Sequence, residues 1–202
     1  MRKYFTLKTI AGIAIFTALA AILYCIPGFQ FNLGFTPEFL KLHFDEIPVL
    51  ISSFAYGPVV GVIVLLLKSL IKLPMDMGNF GIGVLADFFY GVFLVVPASI
   101  IYKRIHTFKG ALIGITVGFL SNVIISSIVG LYTIFPLYGI VYGEDFVWQQ
   151  FWWLDHSITS LYSFKISYEF LLPFNLIRAS IVCAVTLLTY KPLINLINRD
   201  YN

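Results

Sequence analysis

The chain alternates between long apolar runs and short polar segments, and its charged residues are concentrated in the polar segments. A helix needs about 20 consecutive apolar residues to cross the hydrocarbon core of a bilayer. Most of the runs are about this long. We therefore expect an integral membrane protein with apolar helices over residues 7–26, 47–55, 59–71, 81–102, 111–138 and 170–190.

The sequence Tyr56-Gly57-Pro58 interrupts the apolar stretch between residues 47 and 71. Glycine followed by proline favours a turn, which would divide the stretch into two short helices. Neither helix would span a bilayer unless it is tilted or buried by its neighbours. The alternative is a single proline-kinked helix, which would give five spans instead of six.

The positions of the cations favour six spans, because cytoplasmic segments of membrane proteins are enriched in Lys and Arg. With six spans and a cytoplasmic N-terminus, the basic N-terminus, segment 103–109 and the C-terminus lie on the cytoplasmic side. Five spans would put Lys191 and Arg199 outside. We therefore expect six transmembrane helices with both termini in the cytoplasm, and external loops at about 28–46 and 139–169.

Composition supports a membrane protein and leaves little room for anything else. Hydrophobic residues make up 59% of the chain, charged residues 11%, and the mean hydropathy is +0.92. An ordinary soluble domain carries about 25% charged residues. Since 202 residues accommodate about six spans, the sequence predicts an all-α, polytopic membrane protein that forms one domain over residues 1–202.

Four polar residues within the predicted spans are candidates for chemistry, because such residues are costly in a membrane. Lys68 and Asp87 could form an ion pair across the bundle or contact a ligand. Asn175 and Arg178 stand three residues apart and therefore share one face of the last helix. Their donors and acceptors suit a small molecule that carries carbonyl or carboxylate groups.

Arg178 has an alternative structural interpretation, an ion pair with Glu169 or Glu38. In the first predicted helix, Ala14 and Ala18 form a small-xxx-small stripe, which lets another helix approach closely. That helix could belong to this chain or to a partner.

Sequence motifs for catalysis or for energy supply are absent. The chain has no phosphate-binding loop, no His-Glu-x-x-His motif and no Gly-x-Ser-x-Gly motif, and its two cysteines do not have metal-ligand spacing. We expect no cofactor and no metal. Uphill transport by this chain would need an ion gradient or energy supplied by another chain.

Six segments carry a resemblance to a known family: LKLHFDEIPVL at 40–50, FAYGPVVG at 54–61, GIGVLADF at 81–88, KGALIG at 109–114, PLY at 136–138 and PFNLIR at 173–178. Together they resemble the substrate-binding S components of energy-coupling factor (ECF) vitamin transporters, particularly the riboflavin-specific branch. They cover most of the chain in the expected order.

This resemblance implies a bacterial plasma-membrane subunit with six helices and a vitamin site that opens outside, under the first long loop. It implies that the Ala14 and Ala18 stripe docks onto a transmembrane coupling protein, which two cytoplasmic ATPase subunits drive. The S component itself would have no enzymatic activity and no nucleic-acid partner. The residues expected at the substrate are Glu38, Phe39, Leu40, Lys68, Asn79, Asp87, Asn175 and Arg178.

The substrate is not fixed by the resemblance, because several positions depart from the riboflavin pattern. Asn175 matches the pattern, but Arg178 stands in place of a lysine and Gly130 in place of an asparagine. Val84 and Asp87 replace a glutamate and an asparagine. The aromatic residues of the first loop favour riboflavin, whereas Arg178 would suit an anion such as pantothenate. A pyridoxine-like vitamin is a third possibility.

Two other function classes are alternatives to a substrate-binding subunit. An intramembrane enzyme could use Asp87, His43, Asp45 or Glu46 as acid-base groups, but their spacing indicates no paired catalytic set. A self-sufficient channel or ion-coupled transporter would need matching interrupted helices in two repeats. Only the interruption at Gly57-Pro58 is visible.

Overall fold

The computed structural model describes residues 6–32, 41–149 and 167–198. Within these residues the chain is helical apart from short connections, as the sequence predicts. The α-helices are α1 Leu7–Cys25, α2 Glu46–Tyr56, α3 Pro58–Lys72, α4 Ile82–Arg104, α5 Phe108–Val129, α6 Phe135–Tyr142, α7 Glu144–Gln149 and α8 Leu172–Asn198.

The predicted interruption between the second and third helices is confirmed. Gly57 has a φ of 101°, a left-handed value that favours glycine. Pro58 then occupies the first turn of α3, where its missing N–H costs nothing. With 11 residues, α2 is too short to span a bilayer alone. Within the described residues, five other helical segments are long and apolar enough to cross a membrane.

The fifth span is longer than predicted. It continues from Phe108 to Tyr142, a total of 35 residues. A π-helical segment, Gly130–Ile134, joins α5 to α6. Pro136 lies at the start of α6, just after the π-helical segment. The helix ends at Gly143, whose φ is 87°.

Helices α4 and α5 pack closely through glycines of α5. A Cβ on Gly114 would lie 2.5 Å from the Ala98 carbonyl oxygen, and a Cβ on Gly118 would lie 2.3 Å from that of Leu94. Such small residues let two backbones approach in a membrane, where tight packing replaces the hydrophobic effect between helices. One turn further, Asn122 Nδ2 donates to the Tyr90 carbonyl oxygen at 2.6 Å.

Two apolar cores hold the bundle together. The larger core joins α1, α2, α3, α4, α5 and α8, and its fully buried members include Leu50, Leu65 and Leu94. The smaller core lies around the π-helical segment and the start of the last span, with Phe135 and Leu171 at its centre. Polar contacts concentrate next to this second core, which locates the candidate site.

The first long loop is closed at its base by an antiparallel bridge. The Phe31 N–H donates to the Leu42 carbonyl oxygen at 2.9 Å, and the Leu42 N–H donates back to the Phe31 carbonyl oxygen at 2.8 Å. This bridge fixes the chain that enters α2. The candidates Glu38, Phe39 and Leu40 and most of loop 139–169 lie outside the described residues.

Candidate functional site

Two adjoining pockets lie at the end of the bundle that carries the first loop. One is mostly apolar and aromatic, between α4, α6 and α8, and includes Ala86, Tyr90, Phe135, Tyr138, Leu171, Phe174, Asn175 and Arg178. The other is polar, and includes Tyr24, Gln30, Lys72, Asp76, Asn79 and Val84. Both are also lined by Lys41, His43, Gly83 and Asp87.

Asp87 is the polar centre shared by the two pockets. Helix α4 presents its carboxylate to three partners from three other parts of the chain. Tyr24 Oη donates to Asp87 Oδ2 at 2.6 Å, and Arg178 Nη2 lies 3.1 Å from Oδ1. His43 Nε2 lies 3.8 Å from Oδ2. Asp87 therefore ties α1, the end of the first loop and α8 to α4.

Arg178 contacts two carboxylates through one nitrogen. Its Nη2 atom lies 3.0 Å from Glu46 Oε1 as well as 3.1 Å from Asp87 Oδ1. Both contacts are buried, with Arg178 4% exposed and Glu46 1% exposed. These two partners differ from the pairs with Glu169 or Glu38 that the sequence suggested. A guanidinium held by two carboxylates has its charge compensated within the protein.

Lys68 is fully buried and pairs with Asp45, at the residue before α2. The predicted pairing of Lys68 with Asp87 is therefore wrong, because Asp87 is taken by Arg178 and Tyr24. Lys68 is also not among the pocket-lining residues, but lies beside the ring of Tyr24, with Nζ 4.7 Å from the centroid. The pair fastens α3 to the end of the first loop.

Cationic and carboxylate residues in and beside the two pockets are equal in number. His43 is neutral, because burial lowers its pKa to about 3 from 6.5. Its ring packs edge-on against Tyr24, with the centroids 5.1 Å apart. Among the described residues, four cations line the pockets or lie directly beside them: Lys41, Lys68, Lys72 and Arg178. Four carboxylates do the same: Asp45, Glu46, Asp76 and Asp87.

Asn175 shares the buried face of α8 with Arg178, as their spacing predicts. Its Nδ2 donates to Ser127 Oγ on α5 at 3.4 Å. The structure brings Asn79, Asp87, Asn175 and Arg178 to the pockets. A substrate contact for each of them, and for the three loop residues, stays a prediction.

Sequence reasoning missed Tyr24 and Asp76 as pocket residues and treated Glu46 only as a possible acid-base group. Tyr24 lies in the last turn of an apolar helix, where a tyrosine gives no signal of its own. Glu46 stands 132 residues from its partner Arg178. Glu46 lies immediately before an apolar run, where a charged side chain is costly to bury without a partner. This position was the signal in the sequence for a buried ion pair.

The predicted interface residues Ala14 and Ala18 both lie on the exposed side of α1. Neighbouring positions on this side, such as Ile15 and Leu19, are 59% and 46% exposed. The small-residue stripe is therefore not used for packing within the described part of the chain. Docking of a separate helix there stays a prediction.

Comparison with known proteins identifies the family. Residues 8–190 match the family of the ECF transporter, substrate-specific component. The chain is 29% identical to riboflavin transporter RibU of Staphylococcus aureus over 181 residues, which is 90% of this chain and 89% of the relative. It is 23% identical to riboflavin transporter FmnP of Bacillus subtilis, with 86% of each chain covered.

A solved structure agrees with these matches. It is described as the S component of a bacterial ECF transporter, has 28% sequence identity and a TM-score of 0.71, and is matched over 94% of this chain and 97% of the other. Together with five long apolar helices, the bacterial relatives make this chain a multi-pass protein of a bacterial plasma membrane. The chain belongs to the family of substrate-specific components of ECF transporters, as the six resembling segments imply.

Proposed function

We propose that this chain captures riboflavin from outside the cell and is the substrate-binding subunit of an ECF importer. It has no enzymatic activity of its own. Energy comes from two cytoplasmic ATPase subunits through a transmembrane coupling protein. Both termini face the cytoplasm, and the two pockets open to the outside. The observation that carries the choice of substrate is the division of the site into an apolar aromatic pocket and an adjoining polar pocket.

This division suits the chemistry of riboflavin, which joins a flat tricyclic ring to a hydroxylated chain. The apolar pocket offers aromatic surface for the ring, including Tyr90, Phe135 and Phe174. The polar pocket offers Asp76, Asn79 and the shared Asp87 as partners for hydroxyl groups. A relative from Staphylococcus aureus that carries the name riboflavin transporter supports the same substrate.

The balanced charges favour a neutral solute over a carboxylate. Arg178 is the residue that suggested an anion such as pantothenate, but it already contacts Glu46 and Asp87. The replacement of an asparagine by Gly130 also does not empty the site of polar groups. A Cβ on Gly130 would lie 3.2 Å from Tyr90 Oη, so a hydroxyl group occupies the space beside this glycine.

The first test is the visible spectrum of the purified chain and mass spectrometry of the small molecule that it releases on unfolding. We expect a yellow protein that releases riboflavin. After removal of the ligand, the fluorescence of riboflavin should be quenched when it is titrated with the protein. Excess pantothenate or pyridoxine should not displace it. A colourless protein that releases pantothenate or a pyridoxine would refute the proposal.

A paired variant tests the aromatic pocket. Phe174→Ala removes a side chain that is 1% exposed and lines this pocket, and we expect riboflavin affinity to fall about tenfold or more. Phe89→Ala is the matched control, because Phe89 lies on α4 but is 43% exposed. Equal effects of both substitutions would argue against a flavin ring in this pocket.

The partner proposal rests on the exposed stripe of α1. Replacement of Ala14 and Ala18 together by leucine should leave riboflavin affinity unchanged, because neither residue lines the pockets. The same variant should lose co-purification with the coupling protein and the ATPase subunits, since bulky side chains prevent close helix approach. Val117→Phe, on the exposed side of α5, is the control that should keep the complex. An intact complex with both leucines present would refute this docking surface.

A further inference from the structure

Asp76 has one carboxylate oxygen in use and one without a partner. The residue lies in the 3-10 segment Leu73–Asn79 between α3 and α4 and lines the polar pocket. Its Oδ1 atom accepts a hydrogen bond from Asn79 Nδ2 at 2.8 Å. Its Oδ2 atom is buried and receives no hydrogen bond from the described residues. A buried acceptor without a donor is costly, and a ligand hydroxyl group would remove that cost.

A chain of hydrogen bonds fixes the orientation of this carboxylate. Tyr142 Oη, at the end of α6, lies 2.5 Å from Asn79 Oδ1 and 2.8 Å from the Gly78 carbonyl oxygen. This contact turns the Asn79 amide so that its nitrogen points to Asp76. Asp76 is therefore held in place before a ligand arrives, which reduces the entropy that binding must overcome.

Gly83 lies at the junction of the two pockets, because it lines both of them. The unused oxygen of Asp76 lies beside this glycine. A Cβ on Gly83 would lie 3.3 Å from Asp76 Oδ2 and 3.4 Å from Tyr138 Oη. Any side chain there would fill the space between these two oxygens. A ligand that extends from one pocket into the other passes over Gly83 and within reach of Asp76 Oδ2.

We infer that Asp76 is a specificity-determining residue, whose Oδ2 atom accepts hydrogen bonds from hydroxyl groups of the ligand's polyol chain at the junction that Gly83 leaves open. This inference rests on the proposed flavin ligand. The apolar pocket selects the ring, and Asp76 selects ligands that carry a hydroxylated chain.

The test compares riboflavin with lumiflavin, a flavin that keeps the ring but lacks the hydroxylated chain. Affinities are measured by fluorescence titration of the purified full chain. Asp76→Asn should weaken riboflavin about ten- to hundredfold, as expected for a hydrogen bond to a charged acceptor, and should leave lumiflavin within about twofold. Glu144→Gln removes an exposed carboxylate at the start of α7 and should change neither affinity.

A second variant covers the case in which Asp76→Asn does not fold. Gly83→Ala places a methyl group at the junction and should weaken riboflavin more than lumiflavin, although alanine favours the helix. If the wild-type chain binds riboflavin and these variants weaken both flavins equally, or neither, the inference about Asp76 is wrong and the flavin site stands. If the wild-type chain binds no flavin, the proposed function and the inference fail together.

Discussion

Close packing of α4 against α5 sets the geometry of the site, and Gly118→Ala tests this dependence. A Cβ at residue 118 would lie 2.3 Å from the Leu94 carbonyl oxygen. Carbon and carbonyl oxygen approach no closer than about 3.3 Å, so the two helices must separate by about 1 Å. Asp87 lies two turns from Leu94 on α4, and its 3.1 Å contact with Arg178 would lengthen beyond hydrogen-bond distance.

The expected energies follow from this displacement. Overpacking of a well-packed interface costs about 1–3 kcal/mol, and the better helix propensity of alanine returns about 1 kcal/mol. For a chain of 202 residues, the net loss of up to about 2 kcal/mol lowers the melting temperature by up to a few degrees. Loss of the contact between Asp87 and Arg178 should also reduce riboflavin affinity about tenfold.

The assay measures the melting temperature in detergent and the riboflavin dissociation constant for Gly118→Ala and for Val117→Leu. Val117 is 40% exposed on the neighbouring position of α5, so its larger replacement adds volume without forcing the helices apart. We expect both quantities to change only for Gly118→Ala. An unchanged melting temperature together with unchanged affinity would show that α4 and α5 do not approach as closely as described.

Three further predictions concern the buried charges. Arg178→Ala should lower stability by about 3–5 kcal/mol, because it leaves the Glu46 and Asp87 carboxylates uncompensated. Arg178→Lys should keep most of the stability, because one nitrogen of Arg178 makes both contacts, and thermal unfolding of the two variants measures the difference. Lys68→Met should destabilise by an amount similar to that of Arg178→Ala, because it leaves Asp45 buried without its cation. Adding Asp45→Asn should recover more than half of that loss, which a double-mutant cycle measures. Burial lowers the pKa of His43 to about 3, so only the unfolded chain binds a proton at this residue as the pH falls below 6.5. The free energy of unfolding should therefore drop by up to about 1.4 kcal/mol per pH unit toward pH 3. An equally steep slope in the His43→Gln variant would contradict this.

Local sequence determines the helices well in this chain, because a membrane span is specified by its own length and apolarity. The break between α2 and α3 could also be predicted from local sequence, because Gly57 and Pro58 determine the backbone conformation at their own positions. The fifth span was predicted to end near Tyr138 but continues to Tyr142. A π-helical segment lies just before Pro136, and nothing in the local sequence predicts it.

Contacts of the site were harder to predict, because they join residues far apart in sequence. For Lys68 the sequence suggested an ion pair with Asp87 or a ligand contact. In the structure the chain returns from the first loop through the bridge at Leu42, and Asp45 pairs with Lys68. The spacing of Gly114 and Gly118 was readable as a close-packing motif. The stripe at Ala14 and Ala18, which has the same spacing, lies instead on the exposed side of α1.

The 35-residue helix from Phe108 to Tyr142 has a consequence for the depth at which a solute is held. At 1.5 Å per residue it is about 52 Å long, whereas the hydrocarbon layer is about 30 Å thick. If Lys109 stays at the water boundary, the layer ends near Gly130, and Tyr138 and Tyr142 stand above it. A solute bound there enters from water without dissolving in lipid. In the proposed orientation the hydrocarbon thickness lies between this solute and the cytoplasm, and the packed core around Leu50 and Leu94 fills it. We therefore expect that the described helices alone offer the solute no open path to the cytoplasm.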